Sequence, residues 1–319
     1  MRNIFLVIGL LFSVSVFAFT PKDSTKKSIP DSLRNWKKGG VIGLNFTQAS
    51  FTNWAAGGQN SVSGQFLFNA FTNYKKGTTT WDNSLDVSYG LLQQGKGTLL
   101  RKTDDKLDIT SKYGQYAFKK VWYYSALVNF KTQFQPGYNY FGDTAKTKIS
   151  DWMAPGYGLV AVGLDYKPSP KFSVFTAPFT GKFTFVMDQT LADAGAFGVT
   201  KATYDASGNR LTPGENLRKE FGGYFRMTYR SDIMPNVNLA TKLELFSNYL
   251  NKPQNIDVNA EVLLTMKVNK FITSSLNMQG IYDDDINIAV DKNNDGVIES
   301  SGPRFQFRQV LGIGFSMKF

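Results

Sequence analysis

The stretch of residues 304–319, RFQFRQVLGIGFSMKF, decides the fold. Every second residue from Phe305 to Phe319 is aromatic, aliphatic or Met, except Gln309, whereas the alternate positions are mostly Arg, Gln, Gly, Ser and Lys. A period of two is typical of a β-strand with one apolar face. A strand that crosses a bilayer at a tilt needs roughly ten residues of such alternation, more than a strand of a soluble sandwich usually provides. The stretch therefore predicts a membrane-spanning strand.

The same stretch ends on aromatic Phe319, with Phe315 and Met317 on the same apolar parity. A last strand that alternates and closes on a C-terminal Phe resembles the signal by which bacterial outer-membrane barrel proteins are recognised for insertion. These three residues are therefore predicted to form a membrane-insertion strand. The predicted partners are outer-membrane lipid, lipopolysaccharide and the barrel insertion machinery.

The N-terminal residues 1–18 join Arg2 to an apolar run that ends at Ala18, which predicts a secretory signal peptide. Residues 19–38 are predicted to be a periplasmic segment, and residues 39–319 the barrel. The chain contains no Cys, which excludes lipid attachment through a thiol and a disulfide framework. Beyond residue 18 no stretch approaches the roughly 18 apolar residues that a spanning helix needs, although 15% of the residues are aromatic.

Alternating runs recur along residues 39–319 and predict about twelve strands, separated in turn by short turns and longer loops. The longer loops include residues 93–106, 135–153, 189–219 and 283–303. In the seventh run the apolar parity changes near Ala177 and Pro178, which predicts a β-bulge. The sorting of loops by length is not typical of a sandwich. The fold class is therefore predicted to be all-β, a transmembrane antiparallel up-and-down β-barrel with both termini on the periplasmic side.

The net charge of +11 would suggest nucleic acid if the cations formed one stripe, but they are dispersed. Many lie in predicted tight turns, among them Lys119, Lys120, Lys167 and Lys171, where they would meet anionic head groups. Nucleic acid is therefore not a predicted partner.

Charged residues on the inward parity are predicted to line the lumen, and their two signs nearly balance, which argues against strong ion selectivity. A barrel of about twelve strands lies between those filled by side chains and those that enclose a water channel. The lumen is therefore predicted to hold either a narrow polar pore or a closed ion-pair network. The predicted lumen-lining charges are Asp82, Asp86, Asp108, Lys112, Lys131, Arg226, Arg230, Lys242, Glu244, Glu261 and Arg308.

The chain has no His, which excludes Ser-His-acid catalysis within it and removes the commonest transition-metal ligand. Asp82 and Asp86 could in principle serve acid–base chemistry. Beside so many cations on the same face they are better interpreted as ion-pair partners. No enzymatic activity is predicted.

Residues 291–299, DKNNDGVIE, match the first half of an EF-hand-type calcium loop. The candidate ligands are Asp291, Asn293, Asp295, Val297 through its carbonyl, and Glu299. Gly302 stands where such a loop places its bidentate Glu, so Glu299 or the acidic run at residues 283–285 would have to complete the shell. A structural Ca²⁺ in the 283–303 loop and a polar turn without metal both remain open. No other cofactor is predicted.

Aromatic residues also lie in or beside the predicted outer loops. Such residues form either a girdle at the membrane interface or a surface that recognises a sugar or protein. Tyr138 and Tyr140, in mid-loop, are the better recognition candidates. The aromatic residues concerned are Trp54, Tyr138, Tyr140, Phe141 and Trp152.

Three stretches resemble the bacterial outer-membrane domain-of-unknown-function family 3078. They are NFTQASFTNWAAGGQN at residues 45–60, TGKFTFV followed by LADAGAFGV within residues 180–199, and DKNNDG followed by SGPR within residues 291–304. The resemblance implies an outer-membrane barrel and supplies neither an activity nor functional residues.

Two functions follow from these patterns. The first is a small porin or uptake channel, with passage along the polar lumen gated by the loops at residues 135–153 and 189–219. The second is a closed barrel that serves as scaffold or subunit of a larger outer-membrane assembly, with an envelope protein as partner of the long loops.

Overall fold

The computed structural model describes residues 35–50, 59–95, 98–141, 145–290 and 299–318. The first nine strands are β1 Trp36–Ala49, β2 Ser61–Lys76, β3 Thr79–Gln94, β4 Arg101–Phe118, β5 Trp122–Thr132, β6 Gly137–Phe141, β7 Ala145–Ser150, β8 Gly156–Ser169 and β9 Phe172–Phe185. The others are β10 Thr203–Tyr204, β11 Arg210–Thr212, β12 Leu217–Met234, β13 Val237–Asn248, β14 Ile256–Lys267, β15 Ile272–Tyr282, β16 Asn287–Val290, β17 Ser300–Pro303 and β18 Gln306–Lys318.

Twelve long strands close into one antiparallel barrel, in the order β1-β18-β15-β14-β13-β12-β9-β8-β5-β4-β3-β2. If the short outer strands are left out, strands that follow each other along the chain are neighbours in the ring, and β18 closes the ring on β1. The predicted up-and-down barrel is confirmed. The predicted signal peptide and the segment up to residue 34 lie outside the described residues.

The starts of β1 and β4 differ from the predicted boundaries. β1 begins at Trp36, whereas the barrel was predicted to begin at residue 39, after a periplasmic segment. β4 begins at Arg101, so residues 101–106, which were predicted to be loop, are strand. This end of β4 carries polar residues on both faces and a register shift opposite Gly90 and Leu91, so it lacks the alternation that a half-apolar strand shows.

One end of the barrel has only short turns, which we call the short-turn end. Lys119 and Lys120 both have positive φ, 52° and 56°, as a type I′ hairpin turn requires, and Asn236 has a φ of 65° in another turn. The opposite end, the long-loop end, carries every longer connection. The sequence predicted the two classes of connection correctly, because the alternation of apolar and polar residues is interrupted only briefly at a tight turn and for longer at a loop.

The predicted β-bulge is present in β9. Along β8 the pairing passes from Val162 to Leu164, whereas along β9 it passes from Phe179 to Thr176, so β9 contains one extra residue. The same shift separates β9 from β12. The extra residue restores an apolar outward face, because Phe179 then points out with 66% of its surface exposed.

The long-loop end has small elements of its own. β6 pairs with β7, β10 with β11, and β16 with β17, and a short helix, α1 Gln189–Asp193, follows β9. The side chain of Asp188 caps α1 by accepting from the backbone N–H of Leu191. A separate apolar cluster forms beneath them, made of Ala154, Val186, Leu191, Ala192 and Val199. The outer loops thus pack on one another as well as on the barrel.

The outside of the barrel is an apolar belt. Leu44 and Phe315, for example, expose 60% and 67% of their surfaces. Aromatic residues gather at the short-turn end of this belt, where Trp36 lies 4.9 Å from Tyr74 and Trp122 lies 4.8 Å from Tyr166, as ring centroids. Such a girdle is typical of a transmembrane barrel. Within the described part of the chain, no helix is long and apolar enough to span a bilayer.

Candidate functional site in the barrel lumen

The inside of the barrel divides into two sectors. We call the inward faces of β4, β5, β8, β9, β12 and β13 the packed sector, because they hold most of the buried inward side chains of the barrel and its internal apolar cluster. The inward faces of β1, β2, β3, β14, β15 and β18 form the open sector, whose inward side chains are mostly half-buried. Since these six strands are contiguous in the ring, the accessible space lies off-centre.

The packed sector contains an apolar core inside the barrel. Phe175 is wholly buried, and its ring meets that of Tyr224 edge-on at 6.3 Å between centroids. The cluster consists of Leu127, Ala161, Phe175, Ala177, Tyr224 and Phe246. Sequence reasoning missed it, because an apolar residue on the inward parity of one strand does not show that its neighbours across the lumen are apolar as well.

Glu244 is the centre of the middle ion network. Its carboxylate lies 2.6 Å from Lys131 Nζ and accepts a 2.7 Å hydrogen bond from the Tyr224 hydroxyl. Asn259 donates to it at 2.9 Å, and Arg226 stands 3.8 Å away. A buried carboxylate is tolerated only when its oxygens are paired in this way. Glu244 thus ties together strands β5, β12, β13 and β14.

Ion pairs of the same network cross the lumen. Lys106 on β4 lies 3.1 Å from Glu261 on β14, and Lys242 on β13 lies 3.1 Å from Glu261 and 3.4 Å from Asp108 on β4. Asn129 donates to Asp108 at 2.6 Å. β4 and β14 stand six steps apart in the ring of twelve, which is the largest possible separation.

That separation fixes the shape of the lumen at this level. A circular barrel of twelve strands, spaced about 4.8 Å apart and tilted about 40°, would be roughly 24 Å across. A Lys and a Glu side chain cannot meet across that distance. The barrel is therefore flattened here, and its opposite walls approach each other in the manner of packed sheets.

A second group of charges lies toward the short-turn end. Lys112 is 2.6 Å from Asp165, and Lys167 is 3.1 Å from Asp165 and 2.5 Å from Asp82. Ser173 donates to Asp165 at 2.7 Å. The prediction that Lys167 belongs to a solvated turn is wrong: β8 continues to Ser169, so Lys167 shares the inward parity of Asp165.

A third group lies toward the long-loop end. Lys182 Nζ is 2.6 Å from Asp257, 3.6 Å from Glu220 and 3.8 Å from Asp283. Arg218 pairs with Glu220 at 3.1 Å and also with Asp285. Arg218 and Glu220 both lie on β12, whereas the other pairs join strands or loops that are distant in the chain, so this end of the lumen is also cross-linked.

The remaining predicted lumen charges lie apart from these groups. Asp86 accepts a hydrogen bond from Asn69, and Arg308 pairs with Asp104. Arg230 is exposed near the short-turn end of β12 and takes part in none of the ion pairs seen between described residues. Asp104, like Lys106, was predicted to be loop and is instead an inward residue of β4.

The candidate calcium ligands are only partly visible. Residues 291–298 lie outside the described part of the chain, so Asp291, Asn293, Asp295 and Val297 have no described position. Glu299 is described and leads into β17. In the acidic run at residues 283–285, each carboxylate is close to a cation, since Asp284 lies 3.7 Å from Lys252 and its two neighbours approach Lys182 and Arg218.

The hairpin β6–β7 presents aromatic rings beside cations at the long-loop end. Lys146 Nζ lies 4.0 Å from the centre of the Tyr138 ring, and Arg101 lies 5.0 Å from that of Tyr140. Trp152 instead stacks on Phe134 at 6.3 Å, next to the barrel rim. Trp54 and the Phe141 side chain lie outside the described part of the structure.

Lys148 fastens this hairpin to the segment that precedes α1. Its ammonium pairs with Asp188 and, at 3.3 Å, with Asp151. The hydrogen bond to Asp188 is the main cause that raises the pKa of Lys148. The same bond, helped by the backbone N–H of Leu191, lowers the pKa of Asp188. Both groups are therefore charged at neutral pH.

The predicted insertion strand is β18. Phe315 and Met317 face outward and are exposed, and Phe319 lies beyond the described residues. The register places Phe315 opposite Leu44 of β1 and Ile272 of β15, so the apolar face of β18 continues into both neighbours.

Residues 46–138 match the family described as Protein of unknown function (DUF3078). This match confirms the resemblance over its first stretch, whereas the stretches near residues 180–199 and 291–304 lie outside it. The family description assigns no activity. A comparison with curated proteins finds no match.

Several solved membrane barrels are similar to this chain in outline. An outer membrane channel from Pseudomonas putida F1 is 12% identical, with a TM-score of 0.36 and coverage of 88% of this chain and 94% of that one. The translocator domain of the autotransporter NalP from Neisseria meningitidis is 10% identical, with a TM-score of 0.36 and coverage of 90% and 89%. The P. putida toluene transporter TodX is 12% identical, with a TM-score of 0.31 and coverage of 90% and 80%. At this level of similarity these proteins say nothing about substrate.

Proposed function

We propose that the protein is a narrow outer-membrane channel whose passage runs along the open sector and admits small uncharged solutes. The observation that carries this proposal is the division of the lumen. Six contiguous strands hold most of the buried inward side chains and the internal apolar cluster, and the other six leave most of theirs half-buried. Solutes would therefore pass beside the ion networks and not through the middle of the barrel.

The lining of the open sector supports neutral solutes. Hydroxyl and amide groups dominate it, and they offer hydrogen bonds without net charge. The charges nearest to it are paired, as Asp86 is with Asn69 and Arg308 with Asp104. No ring of one sign supports ion selection. The neutral lining includes Ser63, Gln65, Asn69, Ser84, Asn277 and Gln279.

Placement in the outer membrane rests on the barrel's outward face. The apolar belt and the aromatic girdle support a bilayer environment, and the predicted signal peptide supports export. The short-turn end would then face the periplasm, and the long-loop end the exterior. Lipopolysaccharide, outer-membrane lipid and the insertion machinery remain the proposed partners. We propose a transport role and no catalytic one.

The cross-lumen ion pairs favour a second candidate, a closed barrel that acts as a scaffold. Lys106 with Glu261, and Lys242 with Asp108, hold opposite walls together and narrow the lumen. In that case the hairpin β6–β7, with exposed Lys146 beside Tyr138 and half-buried Arg101 of β4 beside Tyr140, would be the docking surface for an envelope protein.

Liposome swelling with the refolded full chain tests the channel. Neutral sugars of increasing size should enter, and Asn277→Trp, which fills the open sector, should slow their entry at least tenfold. Ser274→Trp is the matched control, because it places the same ring on the outward face of β15.

Removal of residues 138–150 should raise conductance in planar bilayers if the outer loops constrict the passage. Absence of swelling and conductance from both the wild type and the loop deletion would favour the scaffold.

A further inference from the structure

The joint between the first and last strands is the weakest ladder in the barrel. Among the described residues, β1 and β18 pair over five residues, Val41 to Asn45 with Lys318 to Gly314. The other ladders of the ring pair over 10 to 16 residues, and the longest is that of β2 with β3. Among the described residues, no ladder joins residues 46–49 to residues 310–313, although both segments are strand.

Two glycines lie where the ladder ends. A Cβ atom at Gly314 would lie 2.1 Å from the carbonyl oxygen of Leu44, and one at Gly312 would lie 2.5 Å from Asn45 Nδ2. Both glycines occupy inward positions of β18, so β1 comes close to the luminal side of β18 at this point, and any larger residue at Gly314 or Gly312 would push the two strands apart.

The unpaired part of the joint lies at the depth of the apolar belt. Phe46 on β1, and Leu311 and Ile313 on β18, expose between 62% and 65% of their surfaces. Unpaired backbone N–H and C=O groups are costly in hydrocarbon. A group with hydrogen-bonding capacity, from water or from a ligand, is therefore needed along these edges.

Apolar side chains line the luminal side of the same joint. Val41, Leu67 and Val310 are on inward parities of the open sector and are half-buried rather than packed. They adjoin the amides of Asn45 and Gln65, of which Asn45 donates to Gln65 at 3.2 Å. A molecule with an apolar chain and a polar head would therefore find a matching surface on the bilayer side of the joint, along its polar edges and on its luminal side.

We propose that the half of the β1–β18 joint nearer the long loops is a lateral opening, through which uncharged single-chain amphiphiles pass between the open sector and the outer leaflet. The alkyl chain would contact Leu67 and Val310, and the polar head would bond to the strand edges. This proposal rests on the proposed function, since it uses the open sector as the passage. It adds to the small uncharged solutes of that passage a class of amphiphiles that can also enter lipid.

Closing the joint with a disulfide tests the proposal, since the chain has no Cys of its own. Continuation of the observed register would place Gln48 opposite Leu311, so Gln48→Cys with Leu311→Cys closes the opening. Ile42→Cys with Met317→Cys is the matched control, because these residues are already paired in the ladder. Both pairs face outward. Thr47→Trp closes the same opening without thiol chemistry, so the test stands even if the first disulfide does not form.

The probe is a dodecanol analogue with a terminal diazirine, photolysed in proteoliposomes and mapped by mass spectrometry. Outward Leu44 and Phe315 should be labelled in every variant and serve as internal standards. Labelling of Leu67 and Val310 should fall at least tenfold in the oxidised Gln48–Leu311 variant and in Thr47→Trp, return on reduction of the disulfide, and stay unchanged in the control pair. Equal luminal labelling in closed and open variants, or none in the wild type, would overturn the proposal.

Sugar entry into the same proteoliposomes separates this proposal from the channel itself. If sugars still cause swelling but luminal labelling is the same with and without the disulfide, the channel is retained and the lateral opening is rejected. If the disulfide lowers luminal labelling but sugars cause no swelling, the lateral opening is retained and the channel for polar solutes is rejected.

Discussion

Lys106 and Glu261 form a 3.1 Å ion pair although their strands, β4 and β14, stand opposite each other in the ring. Substitution Lys106→Met should lower the free energy of unfolding by about 2 kcal/mol, because Glu261 loses a charged hydrogen bond at a partly buried site. Urea titration of the folded barrel in bilayers measures this change.

The double variant Lys106→Met with Glu261→Leu is the control for that experiment, read as a double-mutant cycle. It should recover part of the loss, since no carboxylate is then left without its partner from β4. A fully additive double variant would show that the two residues do not interact. The single variant should also increase conductance, because the opposite walls are no longer held together.

Phe175 fills the apolar core inside the barrel. Replacement by Ala should lower the unfolding free energy by about 3–5 kcal/mol, since the site is wholly buried and a cavity would remain. Phe179→Ala on the same strand is the matched control, because Phe179 faces outward and leaves no internal cavity. Equal losses in urea titrations of the two variants would mean that the internal core is not tightly packed.

The contact of Lys148 with Asp188 should make the outer loops sensitive to pH. The lowered pKa of Asp188 means that this contribution is complete above the group's ordinary value of 3.8 and is lost as pH falls through the lower folded pKa. The raised pKa of Lys148 means that its contribution is complete below the ordinary value of 10.5 and is lost as pH rises through the higher folded pKa. Loop stability should therefore be flat at neutral pH.

Limited proteolysis of residues 196–212 provides the measurement. Pepsin cleavage should accelerate as pH falls below 3.8 and through the lower folded pKa of Asp188, and Lys148→Met should be cleaved faster already at neutral pH by proteases that do not cut at Lys. Lys146→Met is the control, since that side chain lies over Tyr138 and makes no bond to Asp188 among the described contacts. A cleavage rate in Lys148→Met equal to that of the wild type would contradict the role of this contact.

Structural calcium in the 283–303 loop is a separate prediction. Chelation should lower the thermal midpoint or speed proteolysis of this loop, and added Ca²⁺ should restore both. Asp291→Asn with Asp295→Asn should abolish the response. A metal-stripped, folded preparation that responds to neither chelator nor Ca²⁺ would show that the sequence DKNNDG is a polar turn.

Parity explains how much of the molecule could be predicted. The alternation in β18 and its predecessors predicted a barrel, the outward belt and the inward charges, because a strand sends successive side chains to opposite faces whatever lies beyond them. Even the bulge near Ala177 followed from this rule. Around Asp104 and Lys106 both faces of β4 are polar, so there is no alternation, and the sequence did not predict this part of the strand.

The sequence by itself determined which side chains point inward; only the tertiary structure decided what they meet there. That Lys106 reaches Glu261, that Phe175 packs on Tyr224, and that β1 comes close to Gly314 of β18 all depend on how twelve strands close and flatten around the lumen. Period-two alternation is a local property of one strand. Contacts across a lumen join residues more than a hundred positions apart, as in Lys106 and Glu261, and no local pattern encodes them.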